Sequence, residues 1–173
     1  MFTGLDLASL SLMDALDLAV LIEVEAKERY DDLAQQLELH HTPEAAHFFR
    51  FMSKNEGRHR DELDRRRHQL FGAVPSRITP AMVFEIEAPE FDEARAFMSK
   101  REALQAAFRA EKKAWHFFVE TLPHLTDHGV RVLFEELRDE EIHHQQLVLA
   151  EMDKTPPESA LHGFEQTDEP VAQ

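Results

Sequence analysis

Residues 12–37 read LMDALDLAVLIEVEAKERYDDLAQQL, and within them Leu12, Leu16, Ala19, Glu23, Ala26, Tyr30, Leu33 and Leu37 step by four and three in strict alternation. That spacing puts all eight on one face of an α-helix. Seven are apolar or aromatic, so the eighth, Glu23, falls on the face that the others mark for burial. A carboxylate in that position costs several kcal/mol unless something positive meets it.

The arrangement recurs along the chain. Glu23 and Tyr30 are followed by Glu56-x-x-His59; Glu111 and Phe118 stand 88 positions after the first pair, and Glu141-x-x-His144 stands 85 positions after the first motif. One half reads as a copy of the other. A second helix is predicted to open at Thr42-Pro43, with Pro at the first helical position, where its missing N–H costs nothing. Its inner face is Ala45, Phe49, Met52, Glu56, His59 and Leu63, and it should fade near Phe71-Gly72. Ser99-Lys-Arg-Glu102 has the form of a capping box, and behind it Ala103, Ala107, Glu111, Ala114, Phe118 and Leu122 repeat the cadence of the first helix. After a turn bracketed by Pro123 and Gly129, with Thr126 or Asp127 as cap, a fourth helix presents Val130, Phe134, Leu137, Glu141, His144 and Val148 inward and ends before Pro156-Pro157. Ser11, three residues before Asp14, gives the first helix its start signal.

Between the second and third helices, Gly72 to Met98 carries Pro75, Pro80 and Pro89 without a sustained period. It reads as a long connection holding at most a short helix after Pro89. Such a length suits a bundle in which helices two and three run the same way. The expected fold is therefore all-α: a four-helix bundle over residues 1–154 with a long crossover between helices 2 and 3. Residues 155–173, polar and rich in Pro and acidic side chains, form an expected flexible tail.

A chain of 173 residues with 43% hydrophobic content fits one domain with an ordinary core. The absence of cysteine excludes disulfides, zinc–thiolate sites and iron–sulfur clusters, so any metal must be held by oxygen and nitrogen. A formal charge of −15 argues against nucleic acid or an anionic membrane as partner. No apolar run reaches membrane-spanning length and the first residues lack a basic, cleavable leader, which points to the cytoplasm.

The core-facing polar set is the main clue to chemistry. A single Glu-x-x-His on an acidic helix arises easily by chance and usually lies on a solvated face. Two copies, each preceded by a core-facing Glu in a helix of matching cadence, supply four carboxylates and two imidazoles, which match the demand of two divalent cations. In the fourth helix Glu140-x-x-His143 has the same spacing, but Phe134 and Leu137 precede Glu141 as Phe49 and Met52 precede Glu56, whereas polar Glu136 lies four residues before Glu140. Glu141 and His144 are thus read as facing inward, His143 as lying at the edge, and Glu140 as dispensable. The same counting sets Glu25 and Glu28 on the exposed side. Trp115 and the other histidines read as surface or packing residues.

These motifs, Ala15, Ala19, Glu23 and Tyr30 with Glu56 and His59, then Ala103, Ala107, Glu111 and Phe118 with Glu141 and His144, resemble the rubrerythrin-like branch of the ferritin-like superfamily over about residues 11–152. The resemblance implies a ferritin-like bundle with two iron ions, or manganese or a mixed pair. Glu56 and Glu141 would bridge the metals, Glu23 and Glu111 would be terminal ligands, His59 and His144 would each complete one coordination sphere, and Tyr30 would hydrogen-bond behind the ligands. Rubrerythrins proper also carry a cysteine-ligated rubredoxin centre, so here electrons would come from a separate donor protein. They carry a further Glu three residues before the third-helix ligand, where this chain has Phe108, and the second-half Tyr is Phe118.

The implied activity is a non-haem di-iron oxidoreductase, a peroxidase or ferroxidase serving in oxidative stress or iron handling, with peroxide or dioxygen as oxidant. Iron sequestration of the ferritin type and a di-manganese catalase are the alternatives. Bundles of this kind commonly assemble with themselves, so a homo-oligomer is expected.

Overall fold

A computed structural model of the chain describes residues 7–39, 43–83, 86 and 99–155. The expected tail after residue 155 and the expected short helix after Pro89 lie outside them. Four long helices run Leu12–Leu39 (α1), Pro43–Phe71 (α2), Lys100–Thr121 (α3) and His128–Asp153 (α4), and no strand occurs among the described residues. The all-α bundle read from the sequence is the fold.

α1, α3 and α4 each start where side-chain chemistry satisfies free N–H groups. Ser11 Oγ accepts from the Asp14 N–H at 3.2 Å, while Asp14 Oδ2 accepts from the Ser11 N–H at 3.1 Å. Ser99 and Glu102 form the full capping box of α3, and of the two candidates for α4 it is Asp127 that caps, accepting from the Val130 N–H. At the end of α2, Gly72 takes φ 57° and donates its N–H to the His68 carbonyl, a left-handed stop that a residue with a Cβ rarely adopts.

α1 packs along α2, and α3 along α4. The core falls into two apolar clusters. One gathers the first half of α1 (Ala15, Leu16, Ile22) with the ends of α2 (Leu63) and α3 (Ala114, Phe118) and the start of α4 (Val130, Phe134, Leu137). The other gathers the end of α1 (Tyr30, Leu33, Leu37) with the starts of α2 (Ala45, Phe49, Met52) and α3 (Ala103, Ala107) and the end of α4 (Val148). α2 and α3 therefore run the same way, opposite to α1 and α4, as the long crossover requires.

The described part of that crossover is less idle than its prolines suggest. It holds a 3₁₀ turn, Pro80–Met82, and plugs Ile78, Val83 and Ile86 into the first cluster. Arg77 anchors it to the start of α1 through Asp14, with Nε–Oδ1 at 2.7 Å and Nη2–Oδ2 at 2.8 Å. Asp14 is itself nearly buried. Burial alone would raise its pKa, but the hydrogen bonds from Arg77 and Ser11 and the Arg77 charge bring it below the ordinary 3.8. A depressed carboxylate stabilises the fold above its unfolded pKa and stops doing so as pH falls through the folded one. Asp14→Ala should thus cost about 1–2 kcal/mol at neutral pH. That penalty should shrink as pH drops below 3.8, as read from urea denaturation of both proteins.

Two buried arginines lie outside the core-facing positions read from the sequence. Arg67 is 6% exposed and is held by Asp17 at 2.7 Å and by the carbonyls of Gly72 and Val74, two turns of α2 beyond His59. Arg29, 5% exposed, lies 3.8 Å from Glu25. Arg67 ties the end of α2 to α1 and to the crossover.

Candidate metal centre

Between the two apolar clusters lies a polar layer. In α1 it falls after Ile22 and before Tyr30, in α2 between Met52 and Leu63, in α3 between Ala107 and Ala114, and in α4 between Leu137 and Val148. Those intervals contain Glu23, Glu56 with His59, Glu111, and Glu141 with His144. All six side chains are buried, Glu56 and Glu111 with no exposed surface at all. The fold thus brings together at mid-bundle every residue that the spacing singled out.

Glu56 is at the centre. Its Oε2 lies 3.8 Å from His59 Nδ1 and its Oε1 lies 3.9 Å from His144 Nδ1, so its two oxygens face different imidazoles. The two rings stack in parallel, 4.9 Å apart and 5° from coplanar. On one side Glu23 Oε1 is 4.0 Å from His59 Nδ1; on the other Glu111 Oε2 is 3.1 Å and Glu141 Oε2 3.9 Å from His144 Nδ1. His59 therefore has one outer carboxylate and His144 two, and both share the central one.

Charge has nowhere to go in this layer. Neither oxygen of Glu56 nor Nδ1 of His59 meets a hydrogen-bond partner. Burial, joined by the repulsion of Glu111 and Glu23, pushes the Glu56 carboxyl well above the usual carboxylate range. Burial, with the nearby His144 and Arg58, pulls the His59 imidazole down to about 4, which leaves it neutral and able to act as a ligand near neutral pH. Glu111 goes the other way: burial raises it, but hydrogen bonds from His144 and Tyr30 together with the His144 charge outweigh that, and it stays ionised. Four carboxylates with two imidazoles can balance the charge of two divalent ions. Oxygen and nitrogen donors without thiolate suit iron and manganese.

Tyr30 reaches across the bundle from α1 to α3, where its hydroxyl donates to Glu111 Oε1 at 2.5 Å. Its ring stacks on Phe49, 5.7 Å away. Phe118, its counterpart in the repeat, instead packs edge-on against Phe134 at 5.4 Å. Tyr30→Phe keeps the ring contact and removes one donor from a buried carboxylate. It should lower the stability of the metal-free protein by about 1–3 kcal/mol while leaving metal stoichiometry intact, as calorimetry on both proteins would read.

Around the layer, His143 is exposed and Glu28 is exposed, while Glu25 is half-buried. Glu140 differs from the sequence reading that set it aside. It is only half-exposed, burial and the nearby Glu62 and Glu136 raise its pKa, and its carboxylate comes within ligand-sharing distance of Glu23 and His59. Nothing in the helical period could have found it, because Glu140 sits at the margin of the inward face and its reach depends on how α4 leans toward α2.

A family model described as rubrerythrin matches residues 14–152, the span that holds all four helices' polar residues. The chain belongs to the rubrerythrin family. Among solved structures it is similar to an uncharacterized conserved protein from Magnetospirillum magnetotacticum MS-1, at 27% identity and a TM-score of 0.65, over 86% of this chain and 97% of that one. A hypothetical protein from Pyrococcus furiosus also matches, at 22% identity and a TM-score of 0.49, over 87% of this chain and 95% of that one. No curated protein matches the chain. Among the described residues no helix of this rubrerythrin-family protein is long and apolar enough to cross a membrane.

Proposed function

We propose that this protein is a di-iron oxidoreductase that reduces peroxide or dioxygen with electrons from a separate donor protein. The observation that carries the reading is Glu56: a carboxylate with no exposed surface, no hydrogen-bond partner, and one oxygen turned toward each of two imidazoles. Such a group is costly to keep unless a cation on each side makes use of it.

Glu56 and Glu141 would be shared between two metals, Glu23 with His59 would hold one, and Glu111 with His144 the other. A pair of ferrous ions held there supplies two electrons at one place to an oxidant. The protein's own part is to keep the layer dry between two apolar clusters and to hold a proton at the Tyr30 hydroxyl beside Glu111. Membership of the rubrerythrin family supports this reading, and the donor set admits manganese as well as iron.

Anomalous diffraction at the iron and manganese edges, on crystals of protein purified without added metal, tests it directly. Two iron peaks flanking Glu56 are expected. A manganese majority would overturn the di-iron assignment, and iron counts far above two per chain in a large assembly would favour storage. Anaerobic reduction followed by addition of peroxide or dioxygen, monitored by absorbance, then separates the two oxidants by rate.

A further inference from the structure

The repeat in the sequence predicts two equivalent metal positions, and the structure makes them different. Around His144 the ligating atoms of Glu111, Glu141 and His144 lie within 4.8 Å of one another, and all three residues are buried. Besides the buried trio Glu56, His59 and His144, which the two sides share, His59 belongs to a trio with Glu23 and Glu140, within the same distance, whose third member is half-exposed. The second side opens outward. A cleft of about 230 Å³ between α2 and α4 is lined by His59, Glu62, Arg66, Glu136 and Glu140 among others. Glu136 and Glu140 are one turn apart on α4, Glu62 faces them from α2, and Arg66 bridges to Glu136 at 2.6 Å at the outer end.

His59 itself reports the difference. It is 8% exposed and its Nδ1, aimed at Glu23 and Glu56, has no hydrogen-bond partner. Its Nε2 lies 3.3 Å from the Arg58 guanidinium, which can only donate. Nε2 is thus the acceptor and Nδ1 carries the proton, the reverse of the tautomer that a metal at Nδ1 needs. His144 Nδ1 instead meets the Glu111 carboxylate at 3.1 Å. Binding on the His59 side therefore requires Arg58 to swing away, and Arg58 lies at the surface, free to do so.

We propose that Glu140 is a seventh metal ligand, acting only on the His59 side, so that one metal position is sealed in the core and the other exchanges with solvent through the cleft between α2 and α4. This rests on the two-metal reading above. Glu140 completes the coordination that Glu23 and His59 begin, and the Glu62 and Glu136 carboxylates draw cations to the mouth. The exchangeable position is also the one open to a small oxidant.

The test uses the full chain stripped of metal, titrated anaerobically with cobalt(II) by calorimetry, and then mixed with excess chelator in a stopped-flow instrument. Wild type is expected to bind two ions and to release one at least about tenfold faster than the other. Glu140→Gln, which keeps the side chain's shape, should weaken one binding step by about 10–100-fold and speed release of the fast ion, with the slow ion unchanged. Glu28→Gln, on the exposed face of α1, should leave both affinities as they are. If Glu140→Gln binds and releases both ions as wild type does, or weakens both steps equally, the proposal fails while the two-metal reading stands. If wild type itself binds fewer than two ions, the two-metal reading fails first.

Discussion

Glu56→Gln is expected to abolish paired metal binding and, at the same time, to make the metal-free protein more stable. The two effects share one cause. In wild type without metal, Glu56 is a fully buried carboxyl among three other carboxylates, with no donor on either oxygen. Burial and its acidic neighbours already drive it toward the protonated form. An amide of the same shape cannot ionise and places two N–H donors among the neighbouring carboxylates. Replacing buried charges with uncharged groups of similar volume commonly stabilises by about 1–4 kcal/mol. For a domain of this size that is a rise of several degrees in Tm. Metal content should fall from two ions per chain to one or none, because the residue whose oxygens face both imidazoles can no longer be shared. Glu141→Ala should lose the pair as well, without the gain in stability, since truncation leaves a cavity beside His144. Metal analysis and thermal melts of stripped protein read both effects. A Glu56→Gln protein that still binds two ions, or that melts well below wild type when stripped, would show that Glu56 is a structural residue.

Much of this site could be read before any coordinates, and the reason is geometric. A step of four and three fixes which face of a helix is buried, so Glu23, Glu56, Glu111 and Glu141 could each be assigned to the core from their own helix alone. Caps and prolines fixed the ends in the same local way, as at Ser99 and Asp127. What the period does not carry is reach between helices. Tyr30 belongs to the first half of the repeat yet donates to Glu111 in the second, and the approach of Glu140 to Glu23 and His59 depends on the gap between α2 and α4. Arg67 escaped notice because a long cationic side chain is ordinarily solvated; its burial comes from Asp17 and the carbonyls of Gly72 and Val74, which only the folded crossover supplies. The packing of Ile78, Val83 and Ile86 was hidden likewise, since three scattered apolar residues among prolines show no period.

Binding two divalent ions should raise the melting temperature more than any single substitution. Each site that binds only the folded state adds RT ln(1 + [L]/Kd), about 2.7 kcal/mol when free metal is a hundred times Kd. Two sites then add roughly 5 kcal/mol, or about 10–20 °C for a domain of 150–250 residues. The layer has few other ways to relieve its charge. Arg67 is spent on Asp17 and Arg77 on Asp14, Arg58 lies on the outer nitrogen of His59, and the His59 imidazole is held neutral by burial. Stripping the protein with a chelator should therefore lower Tm by that amount, and iron(II) under nitrogen, manganese(II) or cobalt(II) should each restore it. Magnesium should do far less, because it keeps its waters and has little affinity for the two imidazoles. Salt gives a second discrimination: a general attraction of cations to a chain of charge −15 would fade with ionic strength, whereas binding in a dry layer would persist. A melting temperature that responds equally to magnesium, or to none of these ions, would place the compensating charge somewhere other than beside Glu56.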